Sequence, residues 1–292
     1  MSEGRFEGII PALVTPFKEN FDVDFEGIAR NLDFLEKHVD AVVPAGTTGE
    51  AATLSHEEHV EVVRYVCDVA SVPVIAGAGS NSTREALFLA KEAEKAGATA
   101  AMFVTPYYNK PNPEGLFRHY KAISDAISIP VIVYNVPSRT GINTTPETVE
   151  RLASIERVVG IKEASGNLKQ VAEIIKRTPD DFVVLSGDDF MTLPILLMGG
   201  NGVISVAANV APHIMKEMFN AFKEGDVEKA RELHYRLMPL YDVLFIDTNP
   251  IPVKKALELM GLAAGKPRLP LVELSQEKTE KLKAVLGSLD LI

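Results

Sequence analysis

Short apolar segments alternate along the chain with longer segments in which apolar and polar residues are mixed. Eight of the short segments have the length of β-strands and are rich in Val, Ile and Ala. They lack the strict alternation of a strand with one wet face, and such continuous apolar runs are typical of parallel strands covered on both sides. The predicted strands are residues 8–15, 41–45, 72–77, 100–105, 130–135, 158–163, 182–187 and 202–206.

Helix signals lie between the predicted strands. Ser55 with Glu58, and Ser82 with Glu85, have the spacing of capping boxes, in which each side chain accepts a bond from the other residue's backbone. Gly97 then predicts the end of the second of these helices, because glycine readily takes the left-handed conformation that follows a helix.

Eight strands alternating with helices predict an α/β fold, and within that class a (β/α)8 TIM barrel. A doubly wound parallel sheet gives a similar alternation and is the alternative fold. Strand signals stop after Glu224, and three later segments have helical periodicity instead. We therefore predict a barrel catalytic domain of residues 1–224 and a small C-terminal helical domain of residues 225–292. The later helical segments are residues 226–240, 251–262 and 275–286.

The chain has 292 residues, of which 46% are hydrophobic, and a formal net charge of −10. This charge disfavours nucleic acid and anionic membranes as partners, because both require a basic surface. No apolar run approaches the ~20 residues of a membrane span, and the first residues lack the layout of a secretory signal. Cys67, the single cysteine, is expected to be a buried structural thiol, so a soluble cytoplasmic protein is predicted.

Lys162 lies near the end of the predicted strand 158–163, and Tyr134 has the matching position on strand 130–135. In a (β/α)8 barrel both would lie at the rim that carries the active site. A lysine in a low-dielectric site has a lowered pKa and can attack a carbonyl, while a neighbouring phenol moves protons. The alternative is a strand-end lysine whose stem packs against apolar neighbours while its head reaches water.

Further polar groups are suited to binding. The loop of residues 46–50 (GTTGE) can hold a small carboxylate with its amides and hydroxyls, or it is a simple turn. Arg139 either grips a carboxylate with two donors or pairs with a surface acid. Tyr107 and Tyr108 point opposite ways on an extended chain, so one can face the site; the alternative is a pair of core or interface tyrosines.

The sequence gives little support for a metal or a dinucleotide. His56 and His59 are three residues apart, whereas the helical metalloprotease motif has its histidines four residues apart. Residues 77–79 (GAG) lack the third glycine of the dinucleotide-binding fingerprint. The remaining histidines form no ligand cluster, and we expect neither a metal nor a cofactor.

Several of these residues belong to longer motifs. The motifs are residues 46–50 (GTTGE), 105–109 (TPYYN), 134–141 (YNVPSRTG), 160–164 (GIKEA), 185–189 (LSGDD) and 249–254 (NPIPVK). Together, and over nearly the whole chain, they resemble the 4-hydroxy-tetrahydrodipicolinate synthase (dihydrodipicolinate synthase) family. The wider superfamily, with N-acetylneuraminate lyase and 2-keto-3-deoxygluconate aldolases, shares the barrel, the tyrosine and the lysine. Arg139 and Tyr108, with the double-threonine loop, are typical of the synthase.

The resemblance implies that Lys162 forms a Schiff base with pyruvate. The resulting enamine would then attack the aldehyde of aspartate semialdehyde and give 4-hydroxy-tetrahydrodipicolinate for lysine and diaminopimelate biosynthesis. Tyr134, Thr47 and Tyr108 would form a proton relay. In the family Tyr108 comes from the neighbouring subunit, and the assembly is usually a homotetramer of tight dimers.

The same resemblance implies the substrate contacts. Thr47 and Thr48 would hold the pyruvate carboxylate, and Arg139 would hold the carboxylate of the second substrate. Gly187 and Ile204 would line the pyruvate pocket.

A regulatory pocket is also implied, because feedback-inhibited members of the family bind lysine at the tight-dimer interface. This chain has Ala51 where inhibited members often have a serine, so the strength of inhibition stays open. The matching positions are Ala52, His56, His59, Asn81, Glu85 and Tyr107.

Two other functions remain as alternatives. A catalytically silent pyruvate or lysine sensor would keep the barrel but would have lost Lys162 or Tyr134, and both are present. A retro-aldolase for sugar acids would keep those two residues but would have little use for Arg139 and Tyr108.

Overall fold

The computed structural model describes residues 6–292, and the strands of this part of the chain form one parallel sheet. The strands are β1 (Gly8–Pro11), β2 (Ile75–Gly77), β3 (Ala100–Val104), β4 (Val131–Asn135), β5 (Val158–Glu163), β6 (Val183–Ser186) and β7 (Gly202–Ser205). Their order across the sheet is β1-β7-β6-β5-β4-β3-β2. All the pairings between these strands are parallel, so the predicted α/β architecture is confirmed.

Helices alternate with the strands and continue after the last strand. They are α1 (Phe25–Leu35), α2 (His56–Val69), α3 (Thr83–Lys95), α4 (Pro113–Ala126), α5 (Pro137–Thr140), α6 (Pro146–Leu152), α7 (Leu168–Arg177), α8 (Thr192–Leu197), α9 (Pro212–Lys223), α10 (Val227–Val243), α11 (Ile251–Leu259) and α12 (Gln276–Ser288), with a 3₁₀ helix at Ala207–Asn209.

The predicted strand at residues 41–45 is reduced to two isolated parallel bridges, Ala12↔Val43 and Val42↔Val74. The predicted strand 8–15 likewise ends at Pro11, and strand 72–77 begins only at Ile75. Prolines at positions 11, 44 and 73 explain the short ladders, because proline has no N–H to donate. The described residues therefore contain seven strands, not the eight predicted.

The side chains of β4 and β5 alternate between the two faces of the sheet. Tyr134 shares one buried cluster with Leu185 and Ile204, whereas Val133 and Ile161 belong to another cluster that includes residues of α4, α6 and α7. Apolar side chains on both faces explain why these strands read as continuous apolar runs.

Two glycines form the seam between the first and last strands. Gly8 pairs with Gly202, and a Cβ on Gly202 would lie 2.1 Å from the Gly8 carbonyl oxygen. Both residues have positive φ, at 99° and 155°. β1 and β7 can approach this closely only because neither glycine has a side chain.

The two predicted capping boxes differ. At α2 the box is complete, since Ser55 and Glu58 each accept from the other's backbone N–H. At α3 only half of it forms: Ser82 accepts from the Glu85 N–H, but the Glu85 carboxylate accepts from the Ser80 hydroxyl at 2.7 Å. The Ser82 N–H donates instead to the Ser80 hydroxyl at 3.0 Å, so this hydroxyl stands between the two groups that would complete the box.

The three predicted C-terminal helices are present as α10, α11 and α12, and no strand follows Ser205 within the described residues. Leu237 of α10, Leu257 of α11 and Leu282 of α12 share one buried cluster with Val14 and Val206. The C-terminal helices are therefore packed into the same core as residues that follow β1 and β7.

Cys67 on α2 is only partly buried, whereas a buried structural thiol was expected. It lies at the edge of the α2 face formed by buried Val62, Val63 and Val66. Burial, with help from the charge of Asp68, raises the pKa of the thiol to about 11. Within residues 6–292, no helix has the length and apolar character needed to cross a membrane.

Candidate active site

Lys162 and Tyr134 are neighbours on adjacent strands. The β4–β5 register pairs them directly. Both are buried, and the Lys162 Nζ lies 4.2 Å from the centre of the Tyr134 ring. The amine therefore rests on an aromatic face, the surface of a π system that attracts a cation.

Burial dominates the electrostatics of Lys162. It lowers the pKa of the ammonium group to about 7, helped by the positive charge of Arg139 and opposed by Asp189. Within the described residues Lys162 forms no salt bridge, so no close carboxylate holds it in the charged form. A large fraction of this lysine is a neutral amine near pH 7, as a carbonyl nucleophile requires.

Tyr134 is linked to Thr47 of the loop at residues 46–50. Burial raises the pKa of the Tyr134 phenol, whereas the charge of Arg139 and a hydrogen bond with Thr47 lower it. Its phenol therefore stays protonated at neutral pH and can donate or relay a proton.

Tyr134, Thr47 and Arg139 line a cavity of about 420 Å³. A volume of this size suits a small-molecule ligand. Lys162 does not line this cavity itself. It packs against Tyr134, which does.

Thr48 and Arg139 are both connected to Asn249 from the far end of the chain. The buried Asn249 side chain donates to the Thr48 hydroxyl at 3.0 Å, and Arg139 donates to the Asn249 carbonyl at 3.4 Å. Arg139 forms no salt bridge within residues 6–292, so its exposed guanidinium remains available to an anion. The alternative of a loop arginine paired with a surface acid is therefore wrong.

Gly187 and Ile204 contribute space and an apolar wall. A Cβ on Gly187 would lie 2.6 Å from the Ala164 Cβ and 3.1 Å from the Lys162 Cε. Any side chain there would displace the lysine stem. Ile204 on β7 is buried in the same cluster as Tyr134.

The paired tyrosines face different surroundings. Tyr107 lines the cavity, whereas Tyr108 is 89% exposed and has a left-handed φ of 71°. Within the described part of the chain, the Tyr108 hydroxyl forms no hydrogen bond with Thr47 or Tyr134. A core position for Tyr108 is thus ruled out, and its ring is free to reach another chain.

Five of the six residues expected to bind a regulatory lysine line the same cavity as Tyr134 and Thr47. Its lining includes Ala52, His56, His59, Glu85 and Tyr107, but not Asn81. His59 Nε2 lies 2.7 Å from the Gly77 carbonyl, and burial lowers the pKa of His59. This ring is therefore neutral near pH 7 and donates from Nε2.

The chain matches the sequence profile of the Dihydrodipicolinate synthetase family over residues 5–289. It belongs to that family. A 4-hydroxy-tetrahydrodipicolinate synthase from Archaeoglobus fulgidus is 77% identical over 287 residues, which cover 98% of this chain and 99% of the relative.

Solved structures of the dihydrodipicolinate synthetase family have the same fold. The dihydrodipicolinate synthase from Aquifex aeolicus superposes with a TM-score of 0.96 at 46% identity, covering 98% of this chain and 99% of the other. The enzyme from Cyanidioschyzon merolae, solved with lysine bound, gives 0.96 at 42% identity, covering 99% and 100%.

Sequence reasoning assigned no role to two buried acids that lie inside family motifs. Asp189 accepts from the backbone of Val206 and Ala207 at 3.1 and 2.9 Å, and burial raises the pKa of Asp189 to about 6. Glu50 forms a buried ion pair with Lys254 at 2.6 Å. The available signal was a lysine among the apolar residues of α11, three positions from both Ile251 and Leu257.

Proposed function

We propose that this protein is a Schiff-base synthase that condenses pyruvate with aspartate semialdehyde to form 4-hydroxy-tetrahydrodipicolinate in lysine biosynthesis. The observation that carries the proposal is Lys162, a buried lysine without a salt bridge among the described residues, whose pKa is lowered to about 7. Membership of the family and the names of close relatives support the same reaction.

The neutral Lys162 amine adds to the ketone carbon of pyruvate and forms a carbinolamine. Loss of water gives an iminium ion, and loss of a proton from the methyl carbon then gives an enamine. The positively charged nitrogen accepts the electron pair of that C–H bond. The enamine carbon attacks the aldehyde of the second substrate, whose amine later displaces Lys162 as the product ring closes.

Tyr134, Thr47 and Tyr108 move the protons of these steps. Tyr134 lies against Lys162 and shares a hydrogen bond with Thr47, so its phenol can protonate the departing hydroxyl. Tyr108 completes the chain of hydroxyls from a neighbouring subunit. Its exposed ring and its left-handed backbone conformation support this role.

The substrate carboxylates are bound at two places. Thr47 and Thr48, with their backbone amides, hold the carboxylate of pyruvate, and the exposed Arg139 binds that of aspartate semialdehyde. Gly187 and Ile204 shape the pyruvate pocket, because a side chain at 187 would occupy the space of Lys162.

The finer architecture is part of the same proposal. Residues 41–45 close the sheet into an eight-stranded barrel, supported by the bridges Ala12↔Val43 and Val42↔Val74 at its two edges. The barrel is a catalytic domain of residues 1–224, and residues 225–292 form a helical domain. The protein acts in the cytoplasm as a homotetramer of tight dimers.

Lysine binding in the same cavity is likewise proposed. A relative from Cyanidioschyzon merolae was solved with lysine bound. Glu85 offers a carboxylate to an ammonium group, and His56, His59, Ala52 and Tyr107 line the cavity beside it. Asn81 joins this set across the interface, where its side-chain amide can meet the lysine carboxylate.

Substrate preference tests the proposal. Purified protein should condense pyruvate with aspartate semialdehyde faster than it cleaves N-acetylneuraminate or 2-keto-3-deoxygluconate. Arg139→Ala should raise the KM for aspartate semialdehyde at least tenfold and that for pyruvate much less, because a lost charged hydrogen bond is worth about 1.5–3 kcal/mol. Faster cleavage of the sugar acids would favour the retro-aldolase, and absence of any turnover would favour the sensor.

A further inference from the structure

The carboxylate-binding loop is held between two residues with unfavourable backbone conformations. Ala45 has φ 51° and Glu50 has φ 55°, a region that side-chain-bearing residues seldom occupy. Such conformations persist only when the surrounding structure holds them. The threonines between them, Thr47 and Thr48, are the ones proposed to bind pyruvate.

Glu50 is the main attachment at one end of this loop. Its Oε1 accepts from Lys254 Nζ at 2.6 Å and its Oε2 from the Arg268 backbone N–H at 3.0 Å. The Lys254 and Glu50 side chains are only 2% and 1% exposed. Lys254 also donates to the Thr15 carbonyl at 3.3 Å. The attachment therefore joins the loop to α11, 204 residues later.

A second attachment acts on the threonines directly. Asn249, two residues before α11, donates to the Thr48 hydroxyl at 3.0 Å. This bond limits the directions in which Thr48 can donate, because it occupies one of the two lone pairs of the hydroxyl oxygen. Both attachments come from one short segment, residues 249–254.

We propose that the buried Glu50–Lys254 ion pair, with Asn249, positions Thr47 and Thr48 for the pyruvate carboxylate. On this view the C-terminal segment sets the affinity for the first substrate. The inference rests on the proposed function, since it assumes that pyruvate binds at this loop.

A purely structural role makes a different prediction. Removing one partner of a buried ion pair leaves an uncompensated charge and destabilises the fold, whereas removing both charges is often neutral or stabilising. Stability should therefore return in a double variant. The position of the loop at residues 46–50 should not be restored in the double variant, because neither neutral side chain replaces the charged hydrogen bond between Glu50 and Lys254.

The experiment compares Glu50→Gln, Lys254→Met and the double variant Glu50→Gln/Lys254→Met. Melting temperature is measured beside the pyruvate concentration that gives half-maximal borohydride trapping. Both single variants should melt below wild type, and the double variant should recover most of that loss. In all three the half-trapping concentration should rise about tenfold, as expected for the loss of one charged hydrogen bond.

Two further variants keep the test decisive. Asn249→Ala removes the second attachment without exposing a buried charge, and it should also raise the half-trapping concentration severalfold. The matched control is Asp40→Asn/Lys216→Met, which removes a half-buried ion pair of 2.5 Å at the amino-terminal ends of β1 and residues 41–45. It should leave the half-trapping concentration at the wild-type value.

The outcomes separate the two hypotheses. A double variant, or Asn249→Ala, that binds pyruvate as wild type does would overturn the positioning role. So would a control variant that weakens trapping as much as the test variants. If wild-type protein forms no pyruvate adduct at all, the proposed function itself fails, and the inference fails with it.

Discussion

Two lysines of this chain are buried to nearly the same degree but differ in their partners. Lys162 is 6% exposed and Lys254 is 2% exposed, and each Nζ lies 4.2 Å from the centre of an aromatic ring. Lys254 contacts the Glu50 carboxylate at 2.6 Å, whereas Lys162 has no such partner among the described residues. The two sites thus separate the effect of burial from the effect of pairing.

Burial lowers the pKa of both lysines, because a low-dielectric site disfavours the charged form. At Lys254 the charge and the hydrogen bond of Glu50 oppose that shift. Its Nζ also donates hydrogen bonds to several oxygen acceptors. This arrangement suits an ammonium group, whose nitrogen has no free lone pair with which to attack a carbonyl. The comparison teaches that burial alone does not make a nucleophile; an absent counter-charge is also needed.

The sharpest way to break this comparison is to map the pyruvate adduct. After treatment with pyruvate and borohydride, peptide mass analysis should find the adduct on Lys162. Lys162→Met should abolish it, because Lys254, the other buried lysine among the described residues, is paired with Glu50. Lys254→Met, studied below its melting temperature, should still be labelled at Lys162. An adduct on Lys254 in any variant would contradict the distinction.

A smaller but still large effect is expected at Tyr108. If Tyr108 supplies a proton at the neighbour's Lys162, Tyr108→Phe should lower kcat ~10²–10⁴-fold, the usual range for a general acid or base. Mixing Tyr108→Phe with Lys162→Ala should restore activity, since a mixed dimer has one complete site. Random pairing gives about a quarter of the wild-type rate.

The mixing experiment requires that subunits exchange, which native mass spectrometry of differently labelled chains can establish. Tyr107→Phe serves as a matched variant, because Tyr107 lines the cavity of its own chain. Mixing Tyr107→Phe with Lys162→Ala should give no gain in activity over that of the separate variants. Exchange without recovery for Tyr108→Phe would mean that this tyrosine serves its own subunit or takes no part in the relay.

The smallest effect is a shift in the pH dependence of trapping. The rate should rise with pH to a plateau above the pKa of Lys162, about 7, as the neutral amine forms. Arg139 lowers this pKa and Asp189 raises it. Arg139→Gln should therefore move the profile to higher pH and Asp189→Asn to lower pH, each by up to about one unit.

The control for these shifts is Arg118→Gln, which alters an exposed arginine paired with Glu114. It should leave the profile unchanged. Shifts of Arg139→Gln and Asp189→Asn in the same direction would show that the two charges do not act on Lys162 as the structure indicates.

The sequence predicted those parts of the molecule that depend on local patterns. Apolar runs located the strands, and counting along β4 and β5 placed Tyr134 opposite Lys162, as the register has it. The complete capping box at Ser55 was predicted for the same reason. Residues 41–45 were less predictable, because pairing there depends on where prolines interrupt both neighbours.

The contacts that sequence could not supply join distant parts of the chain. Glu50 and Lys254 are 204 residues apart, and nothing in either segment names the other as its partner. Asp189 was visible in its motif, but its influence on Lys162 follows only from the folded arrangement of β5, β6 and β7. The exposure of Tyr108 likewise depends on a backbone turn that the sequence pattern did not indicate.

The seam between Gly8 and Gly202 also has a consequence for synthesis of the chain. One edge of β1 can bond early to residues 40–43, but the other edge finds its partner strand 194 residues later and stays unpaired while the ribosome makes most of the protein. An unpaired strand edge on a nascent chain is prone to association with other chains. A methyl group at residue 202 would meet the Gly8 backbone and obstruct this last pairing. Gly202→Ala should therefore increase aggregation of the protein during expression, although the substitution adds only one methyl group.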